Sequence, residues 1–506
     1  MRRSIPSFSL ASHSAISMLF PMNRWRSLFV CGLVFVLGIS RGFAQPPAAP
    51  APPADAVPPK SSLPADYEPP RTVPPVMTEG KELTTDAQSE QLGTKLLRAD
   101  RYQIVFSNAR LDNKSKPIVE EWAKWRLYQM TLKSQRKRLH EVRADLMRDV
   151  SYAGRSPGVP KKDVEEFRRF LCEEVTKRAA ELLANNFYAR LNAVIVLAQL
   201  NLTDSDRRKE LEERAYVQAA LPLMDVLNAK TGGELDEQLE AVKIQAAIGL
   251  GRINLLGPPA DLNISVEDKP TGRTENLRNV MAKTLIRELK NPDAHVWYQK
   301  RLIDALATID LVNDLATGKP IIVEQLGEVL ADSKRHYCVR ARAARGLGRC
   351  PLPGSINTQK LVFQILLLEY DMASAYQKDR NLFYWKDCFS DVYYAFHPVS
   401  DEELQMFGNK RSPGLNQKPQ LGALVKDAFD QIIPVTKHVV EQPGWTVPKE
   451  GGDLPPNAKI PDQTISDLAK WLQDHQPSNH KLAPNLPDLA PTSPIPTAST
   501  SSTTSS

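Results

Sequence analysis

Across the middle of this chain, residues 160–400, apolar side chains return every three to four positions in blocks parted by polar turns. A period near 3.6 places them on one face of a helix, so the region predicts a series of amphipathic helices. Four blocks share a further pattern. Aligned on Leu197, Leu250, Leu306 and Leu347, they hold Ala189, Val242, Tyr298 and Val339 eight positions earlier. Four positions earlier stand Ala193, Ala246, Leu302 and Ala343, and directly after the leucine come Ala198, Gly251, Ala307 and Gly348. Offsets of four and eight share a helical face, and small residues there let a neighbouring helix come close. Each block has an apolar partner upstream, at 167–183, 216–227, 277–289 and 321–330, and a fifth pair is predicted at 361–370 with 385–396. The aligned leucines lie 53, 56 and 41 residues apart, so the connecting loops differ in length. The most conspicuous insertion, 256–271, carries Pro258 and Pro259.

A recurring helix pair marks a repeat architecture, in which each unit buries its apolar face against its neighbours. The order Val-Arg-x-x-Ala-Ala-x-x-Leu-Gly is matched almost fully at 339–348 and well at 242–251, less well at 189–198 and poorly at 298–307. On these residues the chain resembles the HEAT-like repeat family of the armadillo-type class, over residues 160–400. The resemblance implies an all-α fold, a right-handed α-solenoid of about five HEAT-like helix pairs. It also implies a scaffold, since such families hold diverse ligands. An ordinary helical bundle with alanine-rich contacts is the alternative.

The two ends have other compositions. Residues 27–40 form an apolar run of 14, preceded by Arg24 and Arg26 and followed by Gly42, Phe43 and Ala44. A charged flank, an apolar stretch and a small-x-small site describe a signal peptide over 1–44, cleaved after Ala44, with Met22 as a start of more ordinary length. Left uncleaved, the run would be an N-terminal membrane anchor, although it is short for a spanning helix. Cys31 lies inside the run rather than after it, which argues against lipoprotein processing. Residues 46–75 hold 12 prolines, which favour extended polyproline II over any core, so 45–82 reads as a linker. At the other end, 441–506 is expected to be a disordered region, Pro-, Ser- and Thr-rich over 481–506, with one short helix at 465–473.

Between these ends, 83–157 is expected as an N-terminal helical cap and 158–440 as the solenoid. Within the cap, 116–150 reads as one long capping helix, with Ile118, Trp122, Trp125, Leu132, Leu139, Val142 and Leu146 along a seam. That seam suits docking on the first repeat or pairing as a coiled coil. Strand signals are thin, and 102–106 is the best of them.

Charge and cysteines narrow the chemistry. Net charge is +6 over 506 residues, and the densest basic run, 133–139, shares its helix with Glu120, Glu121, Glu141, Asp145 and Asp149. A solvated helix face explains it, and no nucleic acid is expected as a partner. Cys172, Cys338, Cys350 and Cys388 follow the signal peptide, with no CxxC spacing, and Cys172 and Cys338 fall on predicted core faces as small hydrophobes. The 8 histidines form no His-x-x-x-His pair, so no metal or other cofactor is expected. Gly249, Gly251, Gly346 and Gly348 close repeat helices, where glycine permits tight packing and a left-handed cap. Glu165 with Glu166 and Glu173 with Glu174 lack any partner at a useful spacing. No catalytic motif is found.

The function expected from these residues is an exported, periplasmic or cell-surface, non-enzymatic scaffold that binds another protein. Its candidate partner-binding residues are Arg190, Lys243, Lys300 and Arg340 on the second helices, which could instead hydrogen-bond neighbouring helix ends. Beside them stand Tyr384, Trp385, Tyr393 and Tyr394 in the aromatic stretch 381–398, readable as core or as binding surface. One alternative is an enzyme or enzyme subunit with its site in that stretch, near Asp387, Asp391 and His397. The other is binding to a cell-wall polymer or anionic surface.

Overall fold

Six of the described helices begin where an acceptor side chain holds an unpaired N–H group of the first turn. The computed structural model describes residues 80–98, 101–205, 212–229, 236–399, 414–442 and 457–489, all within the unit Leu63–Ser506. The expected signal peptide, the linker up to 79 and the tail from 490 lie outside these residues. Helices α1 (Asp86–Leu97), α2 (Arg101–Asn108), α3 (Lys116–Tyr128) and α4 (Leu139–Tyr152) come first. Successive pairs follow: α5 (Lys161–Leu182) with α6 (Phe187–Gln199), α7 (Ala220–Asn228) with α8 (Asp236–Leu256), and α9 (Leu277–Leu289) with α10 (Val296–Thr308). Next are α11 (Ile321–Ala331) with α12 (Tyr337–Arg349) and α13 (Thr358–Lys378) with α14 (Trp385–Phe396). The last two are α15 (Ala423–Val440) and α16 (Asp462–Asp474). Thr85 and Gln88 form a reciprocal capping box on α1, and Asn186, Asn276 and Asn357 cap α6, α9 and α13. Both α10 and α12 are capped by a histidine, whose Nδ1 accepts from Trp297 N and Cys338 N respectively, each at 3.2 Å.

The helices of each pair touch each other. Across pairs, α6 packs on α8, α8 on α10, α10 on α12, α12 on α14 and α14 on α15. The first helices α7, α9, α11 and α13 touch in the same order, and α16 packs on α13 and α15. Every aligned leucine, Leu197, Leu250, Leu306 and Leu347, is buried between helices. Small residues set the spacing of the second helices. A methyl group added at Gly249 would lie 2.7 Å from Ala198 Cβ, and one at Gly251 would lie 3.3 Å from Ala305 Cα. At Gly348 it would run into the backbone of Ala395 on α14. None of these glycines has a positive φ, so their role is close helix approach and not the expected left-handed cap.

Three expectations are corrected. The long helix over 116–150 is broken: after α3 come the 3₁₀ turns Gln129–Thr131 and Lys133–Arg138, then α4. Leu132 is extended, with φ −73° and ψ 131°, and buried. Asp149 folds back to accept from Trp122 Nε1 at 3.0 Å and pairs with Arg126 at 2.7 Å. The seam is therefore shared between two helices lying on each other. The strand expected at 102–106 is helix α2. Tyr102 and Phe106, one turn apart, are buried while Ile104 is 54% exposed, so the true period is four and not two.

The tail departs furthest. Residues 457–489 are folded, and Leu482, Ala483, Leu486 and Leu489 are buried. Asn357 N donates to Leu482 O at 2.8 Å, and the Asn357 amide donates to the carbonyls of Asn479 and Lys481. Leu482 fills the space beside Gly327 of α11. Four apolar side chains among the prolines give this segment something to bury, which composition alone conceals. The insertion at 256–271 also has structure of its own: a helical turn, Pro259–Leu262, precedes an antiparallel hairpin of β3 (Ser265–Asp268) and β4 (Arg273–Asn276). A smaller pair, β1 (Asn201–Thr203) and β2 (Arg214–Ala215), follows α6. Among the described residues no helix is long and apolar enough to cross a membrane.

Two buried positions give measurable consequences. Gly348→Ala should push α12 off α14 and lower unfolding free energy by about 1–3 kcal/mol, readable by denaturant titration. Glu369 on α13 is fully buried, accepts from Thr436 Oγ1 at 3.3 Å, and has no partner on its second oxygen. Burial holds its carboxyl well above the usual range. The folded chain thus keeps a proton that the unfolded chain releases above the ordinary carboxyl pKa, and this group's contribution to stability falls as pH rises from there. Glu369→Gln should therefore raise the melting temperature more at about pH 8 than at about pH 4.5.

Candidate functional site

The heads of the second helices and the turns leading into them enclose a groove of about 1030 Å³. Its lining comes from α8 (Glu240, Lys243), the end of α9 (Arg287, Glu288), the turn into α10 and its first residues (291–296, Tyr298 and Gln299), the turn into α12 (333–337), and Tyr384 at the head of α14. Three consecutive helix pairs and the start of a fourth second helix therefore share one cavity.

The floor of the groove is a paired polar network. Lys243 Nζ contacts Glu288 Oε2 at 2.7 Å, and the Tyr298 hydroxyl donates to the same oxygen at 2.6 Å. Burial and the charge of Glu288 hold the Tyr298 phenol far above its ordinary value, so it stays a donor. Glu240 accepts from the backbone N–H of His295 at 3.1 Å. Arg335 donates to Leu289 O, at the end of α9, at 3.0 Å, and its other Nη donates to Gln299 Oε1. Gln299 in turn donates to Pro292 O and Ala294 O. Burial lowers the Arg335 pKa, against the charge of Asp332. The rim is wetter: Ser333, Lys334, Asn291 and Asp293 are exposed, and His336 stacks edge-on against Tyr384 at 4.7 Å. Chemically this is a cleft of amide, phenol and ammonium donors with carboxylate acceptors between them. It suits a polar chain that offers both kinds of group.

Of the candidate residues, Lys243 and Tyr384 line this groove, and the others do not. Arg340 is 2% exposed; its Nε donates to Leu330 O at the end of α11, and its Nη2 meets Asp371 at 3.3 Å. It closes a helix end and is not offered to a partner. Lys243, 6% exposed, is committed to Glu288 in the same way. Arg190, half-buried, donates to Asn185 O just beyond α5. Lys300 is half-buried outside the groove lining. The four cations thus form no open stripe: Arg340 and Arg190 serve carbonyls at helix ends, Lys243 serves a carboxylate, and Lys300 lies apart from the groove.

The aromatic stretch divides. Trp385, Phe389 and Phe396 are core, and Trp385 Nε1 donates to Asp379 O at 2.7 Å, so Trp385 is withdrawn from the candidate surface. Tyr393 leans on Phe429 of α15 at 5.3 Å, and Tyr394 lies under the Arg345 guanidinium at 5.5 Å; both keep partial exposure. Asp391 is 3% exposed and is held by Arg342 and Arg345, each at 3.0 Å, while His397 stacks on Phe429. Tyr393 and His397 thus share Phe429, Tyr394 and Asp391 share Arg345, and none of these side chains lines the groove.

The groove residues missed by sequence reasoning include the two histidine caps. Their signal was present: Asn186, His295 and His336 all stand eleven positions before an aligned leucine. Extending the repeat three residues upstream would have found the caps, though not the cavity between them. Among the described residues no three His, Cys, Asp or Glu side chains gather as a metal site would require. Compared with known proteins, the chain matches no family model, no curated protein and no solved structure.

The assignment of Arg340 to structure is testable. Arg340→Met removes the bond to Leu330 O and the contact with Asp371, a loss expected to cost about 3 kcal/mol on denaturant unfolding. An unchanged midpoint would return Arg340 to the candidate surface.

Proposed function

We propose that this chain is an exported, non-enzymatic scaffold whose residues 158–440 form a HEAT-like α-solenoid, and that the groove at the heads of α10, α12 and α14 holds a segment of another protein. The observation that carries this reading is a cavity of about 1030 Å³ to which successive helix pairs each add a wall, as a repeat surface would. Stacking of second helix on second helix and first on first supports the repeat reading. The 14-residue apolar run behind Arg24 and Arg26 supports export, with the proline-rich stretch after it as a spacer. Most charges on the groove floor are already paired, so recognition falls to the rim, where Lys334, Asp293 and His336 are the groups a bound segment would meet, with the buried Tyr384 ring behind His336. Affinity then comes from several weak polar contacts over several repeats, with Lys334 drawing an acidic residue.

The test is photo-crosslinking of the full chain in intact cells, with the reactive residue at 334 or, as a control, at the exposed Lys162 of α5. A discrete adduct is expected from 334 and not from 162, and Ser333→Glu should reduce it severalfold. Equal labelling from both positions, or none from 334, would discard the groove as the binding surface.

A further inference from the structure

Two of the buried cysteines face each other. Cys338, the second residue of α12, and Cys388, the fourth residue of α14, place their Sγ atoms 3.3 Å apart, although they stand 50 positions apart in sequence. The other described cysteines turn to carbonyls: Cys172 Sγ to Asn201 O at 3.5 Å and Cys350 Sγ to Leu347 O at 3.8 Å. Cys338 is therefore more than the small core hydrophobe its place on the helix face predicts.

The approach is held from both sides. At the far end of the two helices, Gly348 lies against the Ala395 backbone, so the helices cannot drift apart without losing that contact. At the near end, His336 meets Tyr384 at 4.7 Å and Tyr337 meets Trp385 at 5.3 Å, within two residues of Cys338 and within four of Cys388. A covalent sulfur–sulfur bond is about 2.05 Å, so a gap of about 1.2 Å separates the two thiols from it, within reach of small rotations about χ1. Two sulfurs alone make a poor metal site, and no third ligating side chain joins them among the described residues.

We propose that Cys338 and Cys388 are a disulfide-forming pair, a redox staple that ties α12 to α14 across α13. The oxidant is a disulfide of the exchange class, small-molecule or carried by an oxidoreductase. One cysteine, as thiolate, attacks the oxidant and releases its first thiol, leaving a mixed disulfide. The second cysteine then attacks the chain's own sulfur and releases the second thiol. The pair loses two electrons and two protons, and the oxidant is reduced to two thiols. Both side chains are at most 1% exposed in the fold, so exchange takes place before α14 closes on α12. The same burial then shields the bond. The staple lies two residues beyond His336 and four beyond Tyr384, and it fixes that wall of the groove.

The experiment uses the full chain, unfolded and then refolded with a mixture of oxidised and reduced glutathione, or with excess reductant, and alkylated before peptide mapping. The expected result from the oxidising mixture is a folded monomer with one cross-linked peptide pair, 338 to 388, while Cys172 and Cys350 are alkylated. Its melting temperature should exceed that of the reduced form by several degrees. Cys338→Ala should lose the cross-link, and the double variant Cys172→Ala with Cys350→Ala should keep it, so the result does not hang on one variant folding. Folded chain with 338 and 388 both alkylated, cross-links through other cysteines, or a stapled form that melts lower would each overturn the proposal. The test needs neither export nor a binding partner, so it stands or falls apart from the function proposed above.

Discussion

Helix-to-helix contact at the backbone, along the line of second helices, is the constraint from which most of this fold follows. Gly249 against Ala198 and Gly348 against Ala395 leave no room for a side chain between neighbours, and Gly251 against Ala305 leaves little. Dispersion gains are largest where atoms meet over a long flat contact, and alanine and glycine make such contacts at little cost in side-chain entropy. The register follows from it. Once α12 lies against α14 this closely, residues 336, 337 and 338 must face 384, 385 and 388, and aromatic rings and sulfurs are brought together whether or not they attract.

Close packing of many helix ends creates a second demand. Every pair exposes a row of unpaired carbonyls at the end of one helix and of N–H groups at the start of the next. This chain answers with long cations on the carbonyls and short acceptors on the N–H groups. Arg340 reaches Leu330 O and Arg335 reaches Leu289 O, while Asn186, His295 and His336 serve the helix starts. The polar groove is built from the same parts. Its floor exists because helix ends had to be satisfied there, and its opening exists because the turns 290–295 and 332–336 do not fill the space between successive pairs.

The helix pairs were legible because their period is strong: the blocks at 277–289 and 385–396 coincide with α9 and α14. Interruptions were not. Nothing local distinguishes Leu132 from the other apolar residues of its seam, and the break depends on Asp149 finding Trp122 and Arg126 from another helix. Tyr102, Ile104 and Phe106 alternate as a strand would, and only their burial tells that the middle one faces water. The site was half visible. Lys243 and Tyr384 line the groove, but a basic residue at a repeated position says only that something negative lies near it, and here that is a carboxylate or a helix end inside the fold. The cavity itself is a space between elements and has no residue to announce it.

The strap formed by residues 481–489 bears on the order in which this chain can be completed. A stack of helix pairs emerging from its N-terminal end can close one pair upon the last as each appears, since each contact is local. The face beside Gly327 breaks that sequence. It remains uncovered until Leu482 arrives, after α13, α14, α15 and α16 have been made, and the head of α13 waits for the same segment to meet Asn357. Folding therefore cannot finish from one end to the other. The last apolar surface of the middle pairs is sealed by nearly the last of the described residues, which makes an otherwise sequential assembly end in a single cooperative step.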